Sequence, residues 1–432
     1  MTRLTRRDFT RYLALSGSAA FFPASTFAFH DGAEPELSDL PLPPTPQVPD
    51  EAFWREVRAR FLVPRDLAFL NAANLCPTSL PVIEAHERHM RAYEVNPAPQ
   101  PRTALMAMRE EARTMLAEAL RVTPEEIVIT RNTSESNNYV SSGLDLGPGD
   151  EVVVFSDNHP TNLRAWQVKA QRRGFSVVTV AQVNPHPGTG YYVDAFARAI
   201  TPRTRVLAIT HTSSNSGDML PVDELCTLAR ERGVLSLVDA AQAFGVLDVD
   251  LSAMRPDFFT GSMHKWPCGP KEKGLLFATS SVHERLSPSL VGLYGGRVGL
   301  SRTFEANGQR DDASIAAVVE ALKFQHSIGR RVIERRSRQL AQRLMIELRK
   351  LNGVHLWTDP DPARSSSIVI FRPGNLDPRR LGTALWERDR IVVTVRASDD
   401  RPGLRLSPHF YNTLDDVDRT VAAIKGYLAN GV

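Results

Sequence analysis

Short, almost wholly apolar runs recur through the middle of the chain: IVIT (127–130), EVVVF (151–155), SVVTV (176–180), RVLAIT (205–210), VLSLV (234–238), DFFT (257–260) and GLLFA (274–278). Runs with so little polar alternation predict strands buried on both faces. Helical stretches such as 222–232 separate most of them, which predicts a mainly parallel seven-stranded sheet flanked by helices, an α/β fold. Beyond residue 300 the pattern changes. One long helix over about 312–350 is predicted, then alternating strand and helix patterns in SSIVIFRP, LDPRRLGTALWERD, RIVVTVRA, GLRLSPHF and LDDVDRTVAAIKGYLAN. The organisation expected is an N-terminal segment and large domain over 51–300 and a smaller C-terminal α/β domain over 301–432. In RRVIERRSRQLAQRL, Ile333, Leu340, Leu344 and Leu348 share one side, so its arginines read as a solvated face rather than a nucleic-acid surface.

Composition adds size and location. With 42% hydrophobic and 23% charged residues, a chain of 432 can bury a large core. Its net charge of +3 is matched by residues 1–28 alone, where Arg3, Arg6, Arg7 and Arg11 face only Asp8. The remainder is neutral, so no nucleic-acid or anionic-membrane partner is expected. In that N-terminus TRRDFT precedes the weakly apolar YLALSGSAAFF and a small-residue exit with Thr26 and Ala28, a pattern that resembles a twin-arginine export signal. The apolar run is too short for a permanent membrane anchor. Engagement of the twin-arginine export machinery and a periplasmic or exported location are expected, with a cytoplasmic one as the alternative. Residues 29–50, rich in Pro and acids, read as a linker. Cys76, Cys226 and Cys268 are widely spaced, with no CxxC, and indicate neither a disulfide framework nor a metal site. HERH (86–89) misses the HExxH zinc spacing by one position.

The chemistry sits where strands end. After IVIT, Thr133 and Ser134 fall at a helix start, offering hydroxyls and free N–H groups to an anion such as a phosphate. After EVVVF comes His159. After VLSLV comes Asp239, a carboxylate at the end of a buried strand that must meet a cation or several donors. After DFFT comes GSMHKWPCGPKEKG (261–274), where Ser262, His264 and Lys265 lie close to the strand end. A lysine there is partly desolvated, which lowers its pKa and makes the amine nucleophilic. Lys271 and Lys273 read as solvated loop charges. A phosphate site, a ring-facing His, a buried Asp and a nucleophilic Lys together answer to one molecule, pyridoxal 5'-phosphate (PLP).

The ordered set TSE, NHPTN, VDAAQ and SMHK resembles the class V group of fold-type I PLP enzymes, which contains cysteine desulfurases, kynureninases and isopenicillin-N-epimerase-like proteins. The resemblance covers roughly residues 60–430. It implies that Lys265 forms a Schiff base with the cofactor, that Asp239 pairs with the pyridine nitrogen and Gln242 reaches the phenolic oxygen, and that His159 stacks on the ring. It places Thr133, Ser134, Ser262 and His264 around the phosphate. It also implies a homodimer whose neighbour lends the segment FEANGQRDD (304–312), bringing Gln309 near the phosphate. In RLSPHFYNT (405–413) it makes Arg405 the anchor of the substrate α-carboxylate. Asn71 and Asn74 in FLNAANLCP (69–77) are implied at the mouth of the site.

Two departures matter. The segment before Arg405, TVRASDDRPGLR, has no cysteine where the desulfurases carry their persulfide residue. A family Asn that touches the cofactor falls on Ser214, with Asn215 beside it. The expected activity is PLP-dependent chemistry at Cα of an amino acid or an amino-acid-derived or peptide-borne amine, through a carbanion, most like the isopenicillin-N-epimerase-type proteins. A C–S or other β-lyase, an aminotransferase, exported tailoring of a peptide natural product by oxidative decarboxylation or transamination, and a non-catalytic PLP-binding protein are the alternatives.

Overall fold

The computed structural model describes residues 42–397 and 400–432, so the export signal expected over 1–28 lies outside the described residues, as does most of the linker. After a first helix, Glu51–Arg58, comes a two-residue strand, β1 (Ala68–Phe69). The main sheet follows from β2 (Ile127–Thr130), β3 (Glu151–Phe155), β4 (Ser176–Val180), β5 (Thr204–Thr210), β6 (Leu235–Asp239), β7 (Phe258–Ser262) and β8 (Gly274–Ala278). Its order is β2-β8-β7-β6-β5-β3-β4. Pairing is parallel from β7 across to β4, while β8 lies antiparallel between β2 and β7. The missing polar alternation has a direct cause. Val153, Phe155, Leu207, Ile209 and Val238 enter one apolar core, and Val152, Val154, Val206, Ala208 and Leu237 enter a second on the other face. Strand β4 departs from that expectation: it is the edge strand, with Ser176 and Thr179 exposed.

The long helix expected over 312–350 is two. Asp312–Ile328 ends and Arg330–Leu348 begins at Gly329, whose φ of 93° no helix accommodates. The second helix packs with Pro378–Glu387 and Leu414–Asn430 onto an antiparallel four-stranded sheet made of β9 (Val354–Leu356), β10 (Val369–Pro373), β12 (Thr394–Arg396) and β13 (Gly403–Leu406). Short β11 (Ile391–Val392) pairs in parallel with β1, and Ala68 and Leu70 join this third core. The N-terminal loop is thereby stitched to the C-terminal sheet. Across that seam, Asn71 bridges to Ser407.

Candidate active site

The ends of β2, β3, β6 and β7 open on one rim. Asn132 caps the helix Thr133–Gly143 by accepting the Glu135 N–H, which fixes where that helix starts. The Thr133 N–H donates to Ser262 Oγ at 3.0 Å, and the two hydroxyls lie 2.7 Å apart, so the helix start and the end of β7 form one cluster. Gly274 allows this approach: a Cβ there would meet Asn132 Cα and the Gly261 oxygen, each at 2.7 Å. Half-buried Ser134 stands beside Thr133 at the helix start.

Asp239 is buried at the end of β6. Its carboxylate accepts the Asn137 side-chain amide at 2.8 Å and the Ala241 N–H at 3.1 Å, and no cationic side chain bonds it among the described residues. Asn137 in turn accepts the Thr260 hydroxyl at 3.0 Å. His159 caps the helix Pro160–Arg173, its Nδ1 accepting the Thr161 N–H at 3.3 Å. Burial lowers its pKa, the positive charge of Lys265 adds to that, Asp239 opposes it and Arg405 lowers it further, so the ring is neutral and in the field of all three. His264 is pushed down to about 4 by burial and then by Lys265 and Lys271.

Lys265 is half-buried. Desolvation pulls its ammonium down to about 8, Asp239 pulls it back up, and Arg405 pushes it down again. Arg405, nearly buried on β13, donates to the Ser214 carbonyl and to Thr394 Oγ, each at 3.3 Å. Thr394 donates on to Asn71 Oδ1 at 2.6 Å, so Asn71 reaches Arg405 through a residue that the sequence motifs did not single out. Ser214 contributes its backbone oxygen.

Three further expected residues, Gln242, Asn74 and Gln309, show these surroundings in the single chain. Gln242 is held at both ends, its amide donating to the Ala73 carbonyl and its oxygen accepting the Trp266 indole N–H, each at 2.9 Å. Asn74 is exposed, and its N–H closes a turn on Asn71. Gln309 is exposed as well, on a segment fixed by its neighbours: Glu305 bonds Arg113, and Asn307 bonds the Tyr139 hydroxyl at 2.8 Å. Of the two lysines expected to be solvated, Lys271 is exposed on its loop and Lys273 is not. Lys271 Nζ donates to the Cys76 carbonyl at 2.8 Å and Thr78 Oγ at 2.9 Å, tying the mouth loop to the lysine turn. Lys273 is buried, because the chain is already entering β8, and desolvation brings its ammonium down to about 8.

Sequence reasoning missed Asn137, Thr260 and Thr394. Asn137 had a signal, since it follows Thr133 by four residues and so shares its helix face. A groove of about 960 Å³ lies beside Lys271, lined by Leu62, Ile83, Met90 and Asp311, and does not include Lys265 or Arg405.

A buried carboxylate held by neutral donors fits a ring cation, a desolvated amine fits an aldehyde, and a hydroxyl cluster at a helix start fits a phosphate. That donor set defines a PLP-dependent enzyme of fold type I. Residues 69–420 match the Aminotransferase class-V family, and the chain belongs to it. It is 30% identical over 394 residues to the isopenicillin N epimerase of Streptomyces clavuligerus, covering 86% of this chain and 98% of that protein. It is 29% identical over 388 residues to a probable cysteine desulfurase of Methanothermobacter thermautotrophicus, covering 84% and 95%. Among solved structures, a mutant of C-DES with glycine covalently linked to its PLP cofactor superposes with a TM-score of 0.80 at 23% identity, over 88% of this chain and 99% of that one. The cysteine desulfurase CsdA of Escherichia coli gives 0.78 at 27%, over 89% and 100%.

Proposed function

We propose that this PLP-dependent enzyme acts at Cα of an amino acid or amino-acid-derived substrate, in the manner of the isopenicillin N epimerases rather than by transferring sulfur. The observation that carries the reading is the placement of Lys265: a lysine whose ammonium is brought to about 8 within the fields of Asp239, His159 and Arg405. Against sulfur transfer, residues 394–405 contain no cysteine, and Cys76, Cys226 and Cys268 are all buried.

Bound PLP supplies an aldehyde that takes up the substrate amine and a ring that accepts electron density from Cα. Arg405 would hold the carboxylate on Cα and so orient the substrate. Asp239 keeps the proton on the ring nitrogen, and Asn137 and Thr260 keep Asp239 in place. His159, neutral, would stand against the ring without adding charge. Lys265 then takes the Cα proton at Nζ; with a pKa of about 8, roughly a tenth of it is free amine at neutral pH. Return of a proton to the opposite face of Cα gives the epimer.

The test is to incubate the PLP-loaded protein with a panel of amino acids in deuterated water, following Cα exchange by NMR and configuration by chiral chromatography. Keto-acid formation is assayed separately. Exchange with inversion is expected; no exchange with any amine while PLP stays bound would overturn the reading.

A homodimer is part of this reading. It is supported by Val291 at 91% and Leu293 at 70% exposure beside the segment that carries Gln309, and light scattering of the purified protein tests it. Export is likewise proposed, from Arg6 and Arg7, and is tested by locating the protein with both replaced by lysine.

A further inference from the structure

The register of β12 on β13 sets Thr394 opposite Arg405 and Arg396 opposite Gly403. Side chains alternate along a strand, so Thr394, Arg396 and Arg405 share one face of the sheet. Arg396 and Arg405 are diagonal neighbours there, on the order of 7–8 Å apart at the backbone and within reach of each other's long side chains.

Two further observations bear on this pair. The first is hydrogen bonding: the Nε atoms of both guanidiniums are buried, and neither has an acceptor among the described residues. A buried cationic N–H left in that state is costly unless a ligand supplies the acceptor. The second is charge. The nearby buried carboxylate, Asp157, is taken by Arg401, which bonds its two oxygens at 2.6 and 3.1 Å. Asp157 also accepts from Ser213, from Ser216 at 3.2 Å and from Asn215 at 3.3 Å. Among the described residues Arg396 donates only to the Asn215 side-chain oxygen, at 2.7 Å from Nη1. That bond orients it. Since Asn215 is itself held by Asp157, the guanidinium is seated by a built network and keeps its Nε edge for something else. Arg405 confirms the crowding, for desolvation and then Arg396 lower its pKa to about 10, which still leaves it charged at neutral pH.

We propose that Arg396 forms a second carboxylate position beside Arg405, so that the substrate is an amino acid bearing another acidic group on its side chain. This rests on the reading of Arg405 as the anchor of the α-carboxylate. One carboxylate on Arg405 leaves Arg396 with an unmet bidentate edge, and a planar carboxylate is the group that edge fits. A side chain ending in an acid spans from one guanidinium to its diagonal neighbour, whereas an apolar side chain of equal length leaves the Arg396 Nε buried without an acceptor.

The experiment uses the PLP-loaded full-length protein with L-glutamate, L-2-aminoadipate and L-norvaline as probes. It measures kcat/KM for Cα exchange in deuterated water, together with Kd from the cofactor's absorbance change. The wild type is expected to favour a dicarboxylate over norvaline by about 10- to 100-fold, the effect of one charge-assisted contact. In R396Q that ratio collapses toward one, whatever the absolute rates; R396K, keeping charge without the fork, retains part of it. R405Q weakens all three probes. A wild type indifferent to the second acid would overturn the inference, as would R396Q lowering all probes equally with the ratio intact, since Arg396 would then share the α-carboxylate. No exchange and no absorbance response to any probe, or R405Q behaving as wild type, would instead remove the reading of Arg405 and this inference with it.

Discussion

Asn137 donates its side-chain amide to Asp239 at 2.8 Å, while its oxygen accepts the Thr260 hydroxyl at 3.0 Å. Because Asp239 can only accept and Thr260 has a hydrogen to give, these two bonds fix which way the amide points. The carboxylate at the end of β6 is thus aimed by a helix residue that β7 itself holds. Asn137→Leu keeps the volume and removes both bonds. PLP affinity of the variant, measured by absorbance titration of the apoprotein, is expected to fall about 10- to 100-fold, the usual effect of losing a hydrogen bond to a charged group. Thr260→Val, which removes only the outer bond, is expected to cost less. Equal affinities in all three proteins would separate Asn137 from the cofactor.

A second prediction concerns pH. Only the free amine of Lys265 attacks an aldehyde, and its ammonium is lowered to about 8. The rate at which apoprotein reloads PLP should therefore climb about tenfold per pH unit below that value and level off above it. Arg405 disfavours the ammonium and Asp239 favours it. Arg405→Gln should thus move the break to higher pH, and Asp239→Asn to lower pH. Stopped-flow absorbance reads the break directly, and movement in the opposite sense in either variant contradicts the assignment of the amine.

Much of this was legible in the sequence for a simple reason. Strands buried on both faces leave unmistakable apolar runs, and Thr133, His159, Asp239 and Lys265 each follow one closely enough that their strand ends bring them together. What stayed hidden depends on pairing between distant segments. Thr394 reaches Asn71 and Arg405 only because β12 pairs with β13 and the N-terminal loop crosses to Ser407. Nothing local announces that. Lys273 misled because composition describes a loop but not how soon it turns inward, and Gly329 was passed over because a helical pattern on both sides masked a positive φ between them.

Gly274 tests how the phosphate corner is assembled. A methyl group there would stand 2.7 Å from Asn132 Cα and from the Gly261 oxygen, both backbone atoms that cannot swing aside. Gly274→Ala should destabilise the protein by about 1–3 kcal/mol through overpacking. Since the start of the helix Thr133–Gly143 would be displaced from Ser262, PLP binding should weaken as well, although no polar group has been removed. Thermal unfolding of the apoprotein and cofactor titration together check this; an unchanged melting temperature with unchanged affinity would show that the corner yields freely.

The segment that carries Gln309 is anchored at Glu305, and that anchor predicts its own failure. Arg113 and Glu305 are both fully buried, paired at 2.5 and 3.0 Å, and Glu305 also accepts the Ile129 N–H of β2 at 2.6 Å. Burial alone would raise the Glu305 carboxyl, but Arg113 outweighs it and holds the pKa below its ordinary value. A carboxylate depressed in the folded state contributes stability above its unfolded pKa of about 4.3, and that contribution is lost as pH falls through the folded value. Arg113→Met leaves the buried carboxylate, as ion pair, only the longer contact with Arg310, at 3.7 Å, and should cost about 3–5 kcal/mol near neutral pH. The loss should shrink as acid neutralises Glu305. Adding Glu305→Leu to Arg113→Met should recover part of it and no more, because the apolar pair leaves no buried carboxylate but takes from Arg310 its ion-pair partner at 3.7 Å. Denaturant unfolding of the two variants at pH 7 and pH 5 measures each term, and a double variant no more stable than Arg113→Met would show that the pair's geometry, rather than its charge, holds the segment against β2.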